Sequence, residues 1–288
     1  MPLYSVLTNP STAIDDGSTD HSKAIVAEYA SKYPQIKAVS QANQGVAAAR
    51  QTGLNLSQSD YVLFFDQDDR LLPEAIQIGV ACLQQRPDCA FVTGHCQLID
   101  SNGDPKPTQI RQIEAINYLT LLKGDCIPTP APVLFRRKAL EAIGGFNLAL
   151  RQACDDYDLY LRLTQRFEAY CHNQVVAAYR LHGNNQSSTA GSSRFMFTIG
   201  QIFQEQWAFV KGKPEYEAAY REGLQHWRQI YGPYLPYEIP KALKRGNLTK
   251  AGQVLMLTLR HYPQGLPDYA MELLFKTKTL KRSSVPQN

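Results

Sequence analysis

Asp60-Tyr61-Val62-Leu63-Phe64-Phe65-Asp66-Gln67-Asp68-Asp69-Arg70-Leu71-Leu72-Pro73 changes character between two neighbouring residues. Tyr61 to Phe65 is apolar at every position, and Asp66 to Asp69 is acidic or amide throughout. An unbroken apolar run of this kind predicts a central strand covered on both faces. Carboxylates gathered where such a strand ends mark the rim of a site. Pro73 suits the first turn of a following helix, with Ile76, Val80 and Leu83 on its core face.

Outward from this stretch, short β-like runs alternate with helical patterns. Upstream, Asp20 is expected to cap a helix with Ile25, Val26 and Tyr29 as its apolar face, and Pro34 closes that unit before a strand at Ile36 to Val39. Gln44-Gly45 then leads into a helix with Val46, Ala49, Gly53 and Leu54 on one side. Downstream come a strand at Ala90 to Leu98, a tight turn at Asn102-Gly103, a helix carrying Ile113, Ile116 and Leu119, and a strand at Val133 to Phe135. A helix stopped by Gly144-Gly145 and another opened by Asp155-Asp156 follow. The alternation predicts an α/β fold, a mostly parallel sheet flanked by helices. From Ser192 the pattern is helical and rich in aromatic residues, among them Trp207 and Trp227. The expected division is therefore a domain over residues 1–190 and a helical C-terminal extension over 191–288.

Composition narrows the function classes. The 288 residues, 44% of them hydrophobic, suffice for one large domain or two smaller ones with buried cores. Apolar runs fall far short of the ~20 residues that a membrane-spanning helix needs, and Met1 to Pro10 lacks the basic start of a signal peptide. The expectation is a soluble, cytoplasmic protein. A net charge of +4, with no Lys/Arg run interleaved with aromatic residues, argues against nucleic acid as a partner. The six cysteines form no C-x-x-C pair, so they read as buried reduced thiols and not as a zinc ribbon or dithiol redox centre. Lys276, Lys278, Lys281 and Arg282 admit a weak, salt-sensitive peripheral attraction to the inner face of an anionic membrane, against the plainer reading of a solvated tail.

Asp66 and Asp68, at i and i+2 after the apolar run, offer hard oxygen ligands suited to Mg2+ or Mn2+, cations that complete their shells with water and phosphate oxygens. A plain strand-to-helix turn capped by Asp69 accounts for one aspartate and not for three in four positions. Asp15 and Asp16 precede Gly17 where a strand meets a loop, placed to accept hydrogen bonds from a base N–H or from ribose hydroxyls. The same residues are also ordinary turn chemistry followed by a helix cap. Arg50, behind Asn43-Gln44-Gly45, can reach a nucleotide or hold a site carboxylate, although a lone arginine is commonly a solvated surface group. Leu159 and Leu163 share the helical face of Asp156, which points Asp156 inward at a helix start. A carboxylate there can act as a general base, or simply complement the positive helix terminus together with Asp155. His182 follows a strand and is a candidate metal or diphosphate ligand.

Together these segments resemble the family-2 glycosyltransferases of the GT-A fold. The match is carried by AIDDGSTD (13–20), NQGVAAARQTGL (43–54), DYVLFFDQDDRLLP (60–73), GGF (144–146), QACDDYDLYLRL (152–163) and YRLHGNNQSS (179–188). The resemblance implies a glycosyltransferase that uses Mg2+ or Mn2+ to move a sugar, with inversion, from a nucleoside-diphosphate sugar to a hydroxyl of a glycan, lipid-linked or protein acceptor. UDP is the default nucleotide, and glycan or surface-polysaccharide synthesis the expected setting. Asp15, Asp16, Arg50, Asp66 and Asp155 would lie on the donor side, with Asp16 and Arg50 against the nucleotide. Asp66 and Asp68 would form the D-x-D metal site with His182 near the metal or diphosphate, and Asp156 would be the base. Asp155-Asp156 stands where the family has Glu-Asp, which keeps the base. No Q-x-x-R-W motif is visible, which implies a single-sugar transferase and not a polymerase. Only Met1 to Ala13 precede the D-D-G-S segment, where the family has a first strand and helix, so the resemblance implies either a misplaced or truncated start or a degraded member with weakened donor binding. Two rivals come from other classes. A catalytically impaired nucleotide-sugar-binding or scaffold protein would bind donor without turnover, and a nucleotidyltransferase would release pyrophosphate but want a triphosphate loop that this chain lacks.

Overall fold

The structure is a computed structural model that describes residues 10–150, 153–182 and 191–282, with residues 274–282 described by backbone alone. The chain forms two compact units that divide between residues 185 and 186. The expected missing first strand concerns a segment, residues 1–9, that lies outside the described residues.

In the first unit, β1 (Ser11–Asp15), α1 (Ser22–Lys32) and β2 (Ile36–Ser40) form a parallel β-α-β unit, with Ser11 opposite Ile36 and Asp15 opposite Ser40. Helix α2 (Val46–Leu56) packs on β1. The chain then runs through β3 (Tyr61–Leu63), β4 (Arg70–Leu71), α3 (Ala75–Gln85), β5 (Cys89–Ile99), α4 (Tyr118–Lys123), β6 (Val133–Arg136), α5 (Arg137–Ala142), α6 (Asp155–Thr164) and β7 (Glu168–Arg180). A five-stranded sheet has the order β3-β6-β5-β7-β4. The α/β class is as expected, but the strand directions are mixed and not mostly parallel. β5 and β7 run parallel, whereas β6 opposes both β3 and β5, and β4 opposes β7.

Local packing explains where the other expectations shift. Among the described residues β3 pairs with β6 alone, so it is an edge strand, and it ends at Leu63. Phe64 leaves the ladder to pack on Phe135 and edge-on to Phe146, with ring centroids 5.6 and 4.8 Å apart, while Phe65 is exposed. On α3 the buried face is Ala75, Gly79 and Leu83, not Ile76. Leu134 lies so close to Gly79 that an added Cβ would come within 2.9 Å of its Cδ2. The helix expected to carry Ile113 starts only at Tyr118, where Asn117 and Thr120 form a reciprocal capping box. Ile113 is held instead by Asn173, whose Nδ2 donates to its carbonyl (3.1 Å) and whose Oδ1 accepts from its N–H (2.8 Å). Helix α1 buries none of its residues, and Ile25 and Tyr29 face outward. Asp20 accepts from Ser22 N–H but leaves the cap position to His21.

The core of this unit is aromatic. Phe91, Phe135 and Tyr160 are buried together, with centroid distances from 5.4 to 6.1 Å. All six cysteines are free thiols.

The second unit is helical: α7 (Ser192–Val210), α8 (Pro214–Tyr231), a 3-10 turn at Gly232–Tyr234, α9 (Glu238–Lys244), α10 (Leu248–His261) and α11 (Gly265–Arg282). Its own core joins Met196, Leu235 and Val254, with Tyr231, Ile239 and Leu257 packed around them. Glu238 accepts from the N–H and hydroxyl of Ser193 and so closes the N-terminus of α7. Among the described residues no helix is long and apolar enough to cross a membrane.

Phe135 contacts Phe64, Phe91 and Tyr160, so its truncation opens a cavity that these stiff rings cannot refill. Phe135→Ala is expected to destabilise the first unit by about 3–5 kcal/mol, read from urea unfolding followed by circular dichroism.

Candidate active site

The acidic segment after β1 is shaped by its own hydrogen bonds. Asp15 is buried, and its Oδ1 accepts from Ser18 N–H at 3.0 Å; the Ser18 bonds hold its carboxyl below the ordinary range. Asp16 reaches the start of α2. Its Oδ1 accepts from Gln44 N–H (3.0 Å) and Gln41 Nε2 (2.8 Å), and its Oδ2 from Gly45 N–H (2.8 Å). It thus supplies acceptors to amides that the first turn of a helix leaves open, with the charge sign that the helix terminus favours. Gly17, at φ 80°, makes the approach possible, since a Cβ there would lie 2.9 Å from Asn43 N.

With its start fixed in this way, α2 carries Arg50 into the first unit. Arg50 Nη1 donates to Asp155 Oδ2 at 2.9 Å and Nη2 to Asp66 Oδ1 at 2.7 Å, and its side chain is only 11% exposed. Burial alone would lower its pKa, but the charges of Asp155, Asp66 and Asp156 outweigh that cost and raise it above the ordinary value. At the next residue, Gln51 Oε1 accepts from Phe146 N–H at 2.8 Å. Gly145, at φ 72°, leaves room for that side chain: a Cβ there would lie 2.1 Å from Gln51 Oε1.

The three aspartates after β3 separate into different environments. Asp66 turns to Arg50, while Asp68 Oδ2 lies 2.9 Å from His182 Nε2. Asp69 does not cap α3. It is buried, accepts from Arg180 N–H and from Thr129 Oγ1 (both 3.1 Å), and has its carboxyl pushed up to about 6 by burial. Arg180 also fixes the backbone of the loop, since its Nε donates to Asp68 O at 2.8 Å and its Nη1 to Ser101 O at 2.9 Å.

Of the three expected metal ligands, the structure therefore brings Asp68 and His182 together and directs Asp66 to a guanidinium. Among the described residues no three His, Cys, Asp or Glu side chains converge as a metal cluster. A carboxylate oxygen paired with an imidazole nitrogen still fits a cation that draws its remaining ligands from water and phosphate, Mn2+ more readily than Mg2+.

Asp155 and Asp156 open α6, preceded by Cys154 in the left-handed region at φ 58°. Asp156 Oδ1 accepts from Tyr157 N–H at 2.9 Å. Burial, and then the neighbouring Asp155 charge, push its carboxyl up to about 6 against the pull of Arg50. Asp125 and Tyr160 belong to the same electrostatic group and were not anticipated. Burial and the Asp156 charge hold the Asp125 carboxyl well above the usual range. The Tyr160 hydroxyl is buried without a hydrogen-bond partner among the described residues, and burial together with the nearby carboxylates holds it well above the ordinary tyrosine value. Asp125 sits in no strand-end or paired-carboxylate pattern, so its sequence carried no signal; Asp69 and Arg180 lay inside segments already singled out.

The model of the family described as "Glycosyl transferase family 2" matches residues 13–144. The putative teichuronic acid biosynthesis glycosyltransferase TuaG of Bacillus subtilis is 31% identical over 207 residues, which cover 69% of this chain and 80% of TuaG. An uncharacterized glycosyltransferase of Haemophilus influenzae is 26% identical, and the match spans 64% of its length, just under two thirds. Among solved structures, Staphylococcus aureus TarS 1–349 in complex with UDP superposes with a TM-score of 0.61 at 16% identity, covering 94% of this chain and 86% of that one. The mannosyltransferase PcManGT of Pyrobaculum calidifontis, in complex with GDP-Man and Mn2+, gives 0.56 at 18% identity, covering 92% and 76%. The shared architecture is that of GT-A glycosyltransferase structures.

A carboxyl whose folded pKa of about 6 exceeds its ordinary 3.8 keeps a proton that the unfolded chain has lost. Its stabilising contribution is fully present below about pH 4 and disappears as pH rises through 6. Asp156→Asn removes the buried charge. The variant is expected to gain about 1–2 kcal/mol over the unaltered chain at pH 8 and almost none at pH 4, by urea unfolding at each pH. Lower stability at both pH values would assign Asp156 to the helix terminus instead.

Proposed function

This chain belongs to glycosyl transferase family 2, and we propose that it transfers a single sugar from a UDP-sugar to an acceptor hydroxyl, with inversion, in surface-polysaccharide synthesis. The observation that carries the reading is the buried Arg50 bridge. It gathers Asp66 from the end of β3 and Asp155 from the start of α6 around one cation, with Asp156 beside it. UDP as the nucleotude is supported by TarS, solved with UDP, although PcManGT was solved with GDP-Man. Polysaccharide synthesis is supported by the name of TuaG.

In this reading Asp15, Asp16, Arg50, Asp66 and Asp155 form the donor side. Asp16 acts through α2, keeping the Gln44-Gly45 turn and therefore Arg50 in place. Asp68 and His182 would hold Mn2+ or Mg2+, which supplies positive charge against the leaving diphosphate when bound; the Mn2+ bound to PcManGT supports a divalent cation. Asp156 takes the proton from the acceptor hydroxyl. A carboxyl titrating near 6 is ionised at neutral pH yet a stronger base than an ordinary aspartate, which suits that task. Acceptor attack from the face opposite the departing diphosphate inverts the anomeric carbon.

The test is release of nucleoside diphosphate from a panel of UDP- and GDP-sugars with Mn2+ or Mg2+, with and without oligosaccharide and lipid-linked acceptors. Asp68→Asn is expected to abolish metal-stimulated turnover and leave the melting curve unchanged. Asp156→Asn is expected to lower transfer by about 10²–10⁴-fold while donor titrations stay normal, and to remove the rise in rate through about pH 6. Near-normal transfer by Asp156→Asn would sink the base assignment, and donor binding without turnover by the unaltered chain would favour a binding protein.

A further inference from the structure

Helix α10 is apolar on two faces. Ala251, Val254 and Thr258 are buried in the second unit. Leu248, Leu255, Met256 and Leu259 lie on another face, 71%, 39%, 66% and 49% exposed. At 3.6 residues per turn these four fall within a sector of about 100°, a stripe as wide as the one a surface helix normally buries. Helix α9 packs against α10 and adds the exposed Leu243. Exposed leucines scattered singly need no explanation, but four large apolar side chains in one sector of one helix form a patch that does.

The charges around this patch decide what covers it. Lys241, Lys244, Arg245, Lys250 and Arg260 are all exposed, and Lys241 to His261 contains no Asp or Glu. A second copy of the chain meeting this face across a two-fold axis would set basic groups against basic groups. A nucleic acid would meet leucine and methionine where it needs aromatic rings to stack upon. Arg260 falls about 40° beyond Met256 and so flanks the stripe, whereas Lys250 points to the opposite side of α10. An apolar stripe with a basic flank, on a helix pair that carries no carboxylate from Lys241 to His261, matches the boundary between headgroups and acyl chains of an anionic bilayer.

We propose that the α9–α10 face docks on anionic lipid membranes, with Leu248, Leu255, Met256 and Leu259 entering the headgroup boundary and Arg260, together with Lys241, Lys244 and Arg245 of α9, supplying the basic groups for the lipid phosphates. This surface is distinct from the Lys276 to Arg282 cluster anticipated from the sequence, whose side chains lie outside the described residues. The docking face holds none of the residues assigned to transfer, so its test is independent of that assignment.

The experiment is co-sedimentation of the full chain with vesicles of phosphatidylcholine alone and of phosphatidylcholine with 30% phosphatidylglycerol, at low and high salt. The unaltered chain is expected to bind only the anionic vesicles, and less at high salt. Leu248→Glu with Met256→Glu should abolish binding. Lys244→Gln with Arg260→Gln should weaken it by roughly fivefold per charge removed. Because all four positions are exposed, melting curves are expected to stay unchanged; if the glutamate pair unfolds the chain, the glutamine pair still carries the test. Failure of the unaltered chain to bind anionic vesicles overturns the proposal, and so does undiminished binding by folded variants. A dimer in light scattering that Leu248→Glu with Met256→Glu makes monomeric, without lipid binding, would assign the face to a second copy and also overturn it.

Discussion

A guanidinium shielded from water and shared by two carboxylates from distant parts of the chain is the constraint on which the first unit depends. Asp66, Asp155 and Asp156 could not be drawn together as bare charges, because each would raise the cost of ionising the others. Arg50 offsets that repulsion at a distance of 2.7 to 2.9 Å and, with both Nη atoms engaged, fixes orientation as well as charge. A cation buried this deeply costs desolvation energy and persists because its partners are in place. The surrounding structure is arranged to keep them there: Asp16 anchors one end of α2, Gln51 ties its middle to Phe146, and α6 begins at Asp155.

The acidic loop after β3 shows how three residues of one type acquire three characters. Asp66 is neutralised by an arginine, Asp68 faces an imidazole, and Asp69 is withdrawn from water and made a weaker acid by burial. None of this follows from side-chain chemistry alone. It follows from partners elsewhere in the chain: Arg50 on α2 for Asp66, His182 for Asp68, and Arg180, which reaches back from the end of β7 to Asp69 through its N–H and to the Asp68 carbonyl through its guanidinium.

The α/β class, the helix stop at Gly144-Gly145 and the helix start at Asp155 were legible because each depends on residues adjacent in sequence. Family membership was legible too, from ordered motifs that survive low overall identity. Strand direction was not, since the composition of β6 says nothing of which way it runs against its neighbours. Periodicity also misplaced the helix at Ile113, where a side chain sixty residues away in sequence competes for the backbone. The grouping of Asp66, Asp68 and His182 was half legible. The i, i+2 spacing announces carboxylates at a strand end, but which of them meets Arg50 depends on a helix elsewhere in the chain.

Asn173 is where that competition is resolved, and it has a consequence for how this chain can diverge. Its left-handed backbone at φ 57° points one amide at the segment around Ile113, where that amide does the work of a neighbouring strand, accepting from one backbone group and donating to the other. The segment is therefore positioned from outside, through atoms that every residue except proline shares. Its side chains are released from specifying their own path, so substitutions can accumulate between Gln109 and Ala115 at little structural cost, while the asparagine that holds them has few replacements that match both its shape and its backbone.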